Sequence, residues 1–128
     1  MRAIEIAMVL LLTACDVDLF GNDTREIAGP YALRHSDEAA RYFIRGGSRH
    51  ESSDWAVDGS VLQIGWDQQH ILVQREAFAG ADTAWVVVDV GARTVSGPLS
   101  EAAARRLPGI AALRAIPAAD AWALLKGK

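Results

Sequence analysis

Three histidines are the first residues to weigh for chemistry. His35 stands in Arg34-His35-Ser36-Asp37-Glu38, His50 precedes Glu51 and Asp54, and His70 follows Asp67. Neutral imidazole with a nearby carboxylate is a sound ligand set for zinc, and a small metal-dependent hydrolase is the activity such a set would serve. None of the three has a second histidine four residues away, as a helical metal site would. The plainer reading is three loop or strand-edge histidines on a charged surface, so neither metal nor cofactor is expected. Asp54, Asp58, Asp67 and Asp89 sit where turns or strand ends are expected, and aspartate serves there as a local hydrogen-bond acceptor. No Gly-x-Ser-x-Gly elbow, phosphate loop or dinucleotide fingerprint occurs, so no catalytic residue is assigned.

The one cysteine in 128 residues is Cys15. Alone, it forms no internal disulfide and builds no multi-cysteine zinc site. Its surroundings are distinctive. Arg2 gives a short positive start, Ile6 to Leu12 is an uncharged apolar run, and Leu12-Thr13-Ala14-Cys15 follows. The run is too short to span a bilayer as a permanent helix but has the length of a signal-peptide core. These four residues resemble the lipobox of bacterial lipoproteins. The resemblance implies cleavage between Ala14 and Cys15, a diacylglycerol on the Cys15 sulfur, and an acylated new amino group. Two or three acyl chains hold a protein on a membrane where one would not. Glu5 departs from the usual leader, and the leader is short, so the start codon could lie upstream. Asp16 resembles the enteric signal for inner-membrane retention. That places the domain on the periplasmic face of the inner membrane, with the outer membrane as the other placement.

These residues need a scaffold. Half the chain, 51%, is hydrophobic, which is enough for one core. The division expected is a signal peptide at 1–14, a lipidated amino terminus and tether at 15–27, and a single domain at 28–128. Net charge is -3, and removing Arg2 and Glu5 with the leader leaves it there. No basic block suits nucleic acid, and no polybasic segment suits an anionic membrane. Arginine outnumbers lysine 11 to 2, as in chains from G+C-rich bacterial genomes.

Within the domain, Tyr31–Arg34 reads as a first strand. Residues 36–45 read equally as a helix capped by Ser36 or as a strand over Arg41–Arg45. Leu62, Ile64 and Trp66 alternate with polar or small residues, Asp67-Gln68-Gln69 turns, and Ile71 and Val73 return, which predicts a hairpin with one apolar face. Thr83 to Val90 is apolar on both faces, as in a covered central strand. Thr94-Val95 reads as a short strand. Ser100 is placed to cap a helix with Glu101 in its first turn and Arg105 and Arg106 at its end, and Pro117 to open a final helix. The fold class is therefore α+β: a small antiparallel sheet of about four or five strands packed by one or two C-terminal helices. Val61, Ile64-Gly65-Trp66-Asp67, Trp85 to Val90 and Gly97-Pro98-Leu99-Ser100 together resemble a pattern in small bacterial lipoproteins, over Val61 to Leu107. Its motifs are structural and imply no activity.

The chain carries four tryptophans. Trp66 and Trp85 fall on apolar strand faces, whereas Trp55 lies in the polar Arg49–Asp58 loop. An exposed tryptophan is a frequent anchor at interfaces, so Trp55, Arg49 and His50 are the candidate binding residues. The expectation is a lipid-anchored, non-enzymatic binding or accessory module of the cell envelope, whose partners are the membrane and an envelope protein. An inhibitor or immunity-type protein using the Arg49–Asp58 loop is the alternative, and a metal-dependent hydrolase the second.

Overall fold

A computed structural model describes residues 24–36, 41–46, 56–77 and 82–125. Among them are two antiparallel sheets. The smaller contains β1 (Thr24–Ala28), β2 (Tyr31–Ser36) and β3 (Arg41–Arg45) in the order β1-β2-β3. The larger contains β4 (Ser60–Trp66), β5 (His70–Glu76), β6 (Thr83–Asp89), β7 (Thr94–Leu99) and the two-residue β8 (Ile116–Pro117), ordered β7-β6-β5-β4-β8. Helix α1 (Glu101–Arg105) follows β7, and α2 (Ala118–Leu124) follows β8.

The broad class matches the expectation, but the fold is mostly sheet. The described residues hold eight strands in two sheets rather than four or five in one. The surplus is the two edge strands of the small sheet, β1 and β3, and the two-residue β8 beside β4. Thr24–Ile27, which polarity assigns to the tether, belongs to β1, so strand structure begins before Gly29-Pro30. Residues 41–45, open between helix and strand, form β3, with His35 opposite Tyr42 and Leu33 opposite Ile44.

Alternation builds the core. Tyr31, Leu33 and Ile44 turn one face of the small sheet inward, where they share a cluster with Ile64, Ile71, Val73, Val86 and Val88 of the large sheet. Ala118 and Ala121 of α2 close that cluster. Leu72, Trp85 and Val87 point to the opposite face of the large sheet, where Ala104, Ile110 and Leu113 cover them. The valine-rich β6 is thus covered on both faces, as its sequence predicts, and such β-branched runs favour buried strands.

One strand departs from strict alternation. The register of β4 against β5 shifts between Val61 and Gln63, and Leu62 is 38% exposed while Val61 and Ile64 are buried. A bulge inserts one residue and resets which side faces the core. Leu62 therefore leaves the apolar face assigned to it by counting in twos.

The caps behave locally. The Ser100 hydroxyl accepts the Ala103 N–H at 3.1 Å, and Arg105 Nε donates to Glu101 Oε2 at 3.1 Å. Arg105 also donates to the Leu113 carbonyl at 2.8 Å, tying α1 to the turn segment that carries Ile110 and Leu113.

Candidate functional site

The most developed side-chain cluster lies where β1, β2, β3 and α2 meet. Arg25 of β1 shares the inward face of the small sheet with Leu33, its register partner on β2. His35 and Tyr42 are a cross-strand pair further along that face. Their rings stack with centroids 4.7 Å apart and planes inclined by 25°. Trp122 of α2 tilts against both, at 5.6 Å from His35 and 5.9 Å from Tyr42. The Arg25 guanidinium sits 4.1 Å from the centre of the Trp122 ring, and its Nη1 donates to the Trp122 carbonyl at 2.5 Å. A cation over an indole face is favoured by the ring quadrupole. The same arginine satisfies a carbonyl near the C-terminus of α2, where helix carbonyls lack internal partners. The cluster presents an amphipathic group of rings, half-buried and partly open, at the end of the small sheet where the chain emerges into β1.

A second polar group surrounds His70 at the start of β5. Asp67 Oδ1 accepts the backbone N–H groups of Gln69 and His70, each at 2.8 Å, which closes the β4–β5 turn. The Gln69 N–H, and then that of His70, hold the Asp67 carboxyl below its usual range. His70 Nδ1 lies 4.0 Å from Asp67 Oδ1, too far for a hydrogen bond, and is buried with no partner. The imidazole packs on Gly109, whose missing side chain leaves the necessary room. A general base also needs a substrate cleft and a group to activate. The surroundings of His70 here are a backbone turn and a glycine.

A third feature is a shallow cavity of about 360 Å³ lined by Thr24, Glu26, Gly29, Pro30, Tyr31 and Ala32. Burial pushes the Tyr31 phenol above its ordinary value, opposed by the Arg93 guanidinium and aided by Asp89.

The sequence candidates distribute as follows. Ala14, Cys15, Arg49, His50 and Trp55 lie outside the described residues. His35 and His70 are not brought together. His35 joins the ring cluster beside the core between the sheets, whereas His70 shares a strand face with Leu72 on the far side of the large sheet. The hydrolase reading therefore loses this pair as joint ligands. Among the described residues, no group of three or more His, Cys, Asp and Glu is placed to hold a metal ion. Asp89 Oδ1 accepts the Ala92 N–H at 2.9 Å, the turn role assigned to it. Trp85 is buried and Trp66 packs at the core edge.

The ring cluster as a whole has no signal in the sequence. Arg25 and Trp122 are 97 residues apart, and Arg25 lies in the stretch whose polarity predicts a tether. Only the His35–Tyr42 pair had a local signal: it follows from register once Arg41–Arg45 is taken as a strand.

No described helix is long and apolar enough to cross a membrane. No known protein family matches the chain, and neither curated proteins nor solved structures include a significant match.

Proposed function

We propose that this chain is a lipid-anchored, non-enzymatic binding or accessory module of the bacterial cell envelope. The observation that carries the reading is Leu12-Thr13-Ala14-Cys15, at the end of an uncharged apolar run and holding the chain's only cysteine. Lipid on Cys15 confines the α+β domain to a thin layer beside one membrane. Confinement raises its effective concentration toward anything else in that layer, so a weak binding surface suffices. The partner is an envelope protein, and Asp16 favours the periplasmic face of the inner membrane.

Mass spectrometry of protein made in a bacterium tests the anchor. The expected species begins at Cys15 and carries diacylglycerol and an amide-linked acyl chain, and Cys15→Ser abolishes both the lipid and the membrane fractionation. A free thiol still joined to Ala14 would overturn the reading. Cross-linking in whole envelopes then tests the partner: a protein captured by the wild type and lost with Cys15→Ser supports it.

A further inference from the structure

Resting on that anchor, we propose that the end of the small sheet bearing Thr24, Tyr42, Trp122 and Leu124 docks onto the lipid bilayer that holds Cys15. Three observations converge there. The first is the length of the connection. The first described rung is Thr24 opposite Arg34, and eight residues lie between Cys15 and Thr24 in the sequence. Fully extended, they reach at most about 30 Å. Thr24, and with it this end of the domain, therefore stays within about 30 Å of the lipid-bearing residue.

The second is the polarity of the sheet. β1 and β2 are joined at Gly29-Pro30, and Gly46 packs against Tyr31 and Pro30, so those residues mark the opposite end. Thr24, Ser36 and Arg41 share the near end through their register. The third is the chemistry gathered at the near end. Tyr42 and Trp122 are half-buried members of one ring cluster, and the Arg25–Trp122 contacts place the last turn of α2 beside the start of β1. Leu124 in that turn is 68% exposed, the highest value among the exposed large hydrophobics of the described residues. Tyrosine and tryptophan favour the headgroup layer, where a ring is shielded and its polar atom stays wet. Apolar and aromatic groups make this contact rather than net charge. Arg41 is exposed at the same end.

The test couples the chain from Cys15 onward, through the Cys15 thiol, to a maleimide-headgroup lipid in nanodiscs of phosphatidylethanolamine and phosphatidylglycerol. A trace of gadolinium-chelating lipid broadens amide resonances near the bilayer. Broadening at Arg25, Tyr42, Trp122 and Leu124 is expected to exceed that at Gly29, Gly46 and Arg93 several-fold. Leu124→Asp, at an exposed position, is expected to flatten that gradient while the spectrum stays folded. Uniform broadening, or the same gradient in Leu124→Asp, overturns the proposal, since the tether alone would then set the geometry. Concentration-dependent dimerisation through Leu124 also overturns it, assigning this end to a second copy. Chemical coupling bypasses native lipidation, so a failed orientation and an unmodified native Cys15 are read in separate samples.

Discussion

The Arg25 guanidinium lies 4.1 Å from the centre of the Trp122 ring and donates to the Trp122 carbonyl, joining the first described strand to the last helix. One side chain here makes both a ring contact and a hydrogen bond. Arg25→Ala is expected to cost about 1–2 kcal/mol in urea unfolding. Arg25→Lys keeps the cation, loses the planar stack, and falls between. In a double-mutant cycle with Trp122→Leu, which removes the aromatic face, a coupling of roughly 0.5–1 kcal/mol is expected. Strict additivity would show that the two residues do not interact across the ring.

Asp67 makes stability depend on acid in a defined direction. Its carboxylate accepts two backbone N–H groups in the fold, so its folded pKa lies below the unfolded value of about 3.8. Its contribution is thus present above that value and lost as pH falls through the lower, folded one. Asp67→Ala is expected to cost about 0.5–1 kcal/mol near neutrality, kept small because the side chain is 47% exposed. The gap from wild type closes in strong acid, as chemical denaturation at stepped pH would read. A pH-independent gap would assign the cost to something other than the ionised carboxylate.

Gly109 is required by both backbone and neighbour. Its φ is +82°, and a Cβ there would lie 2.9 Å from His70 Cε1. Gly109→Ala is expected to lower stability by about 1–3 kcal/mol. Adding His70→Ala removes the collision but leaves the backbone strain, so rescue is partial. Full rescue would mean that the positive φ costs nothing.

The bulge in β4 makes opposite forecasts for adjacent residues. Leu62 is 38% exposed and Val61 4%. Leu62→Thr is expected to stay within about 0.5 kcal/mol of wild type, whereas Val61→Ala costs about 1–3 kcal/mol. Thermal melts rank the two variants, and the reverse order would restore strict alternation.

Ser100 caps α1, a helix of five residues. Ser100→Ala is expected to cost about 1 kcal/mol and Ser100→Asp much less, because aspartate also accepts the Ala103 N–H. Equal losses would show that the hydroxyl bond contributes little.

What could be read from the residues alone follows the range of the forces involved. The Asp67 turn, the Ser100 cap and the two-faced β6 depend on neighbours within a few positions, and each stands as read. The polarity of Thr24-Arg25-Glu26 hides β1, whose place comes from pairing with β2 and from the Arg25–Trp122 contacts. The ambiguity at 36–45 turned on cross-strand partners that periodicity cannot see, and Tyr42 opposite His35 resolves it. The Leu62 bulge shifts phase within a strand whose composition gives no warning, since every residue from Val61 to Ile64 suits a strand. Of the candidate site, His35 and His70 were read individually, but their separation by a whole sheet is a property of topology. Arg49, His50, Trp55 and Cys15 lie outside the described residues.

The position of β1 also decides how the protein meets mechanical load. Along the described residues, a pull toward the amino terminus loads Thr24, the outermost described rung of the β1–β2 ladder, and then the Arg25–Trp122 clamp one residue later. The clamp passes that tension to α2, whose Ala118 and Ala121 are seated in the main core. Peeling β1 one rung at a time is thereby opposed at its second step, and the far end of the chain shares the strain with the near one.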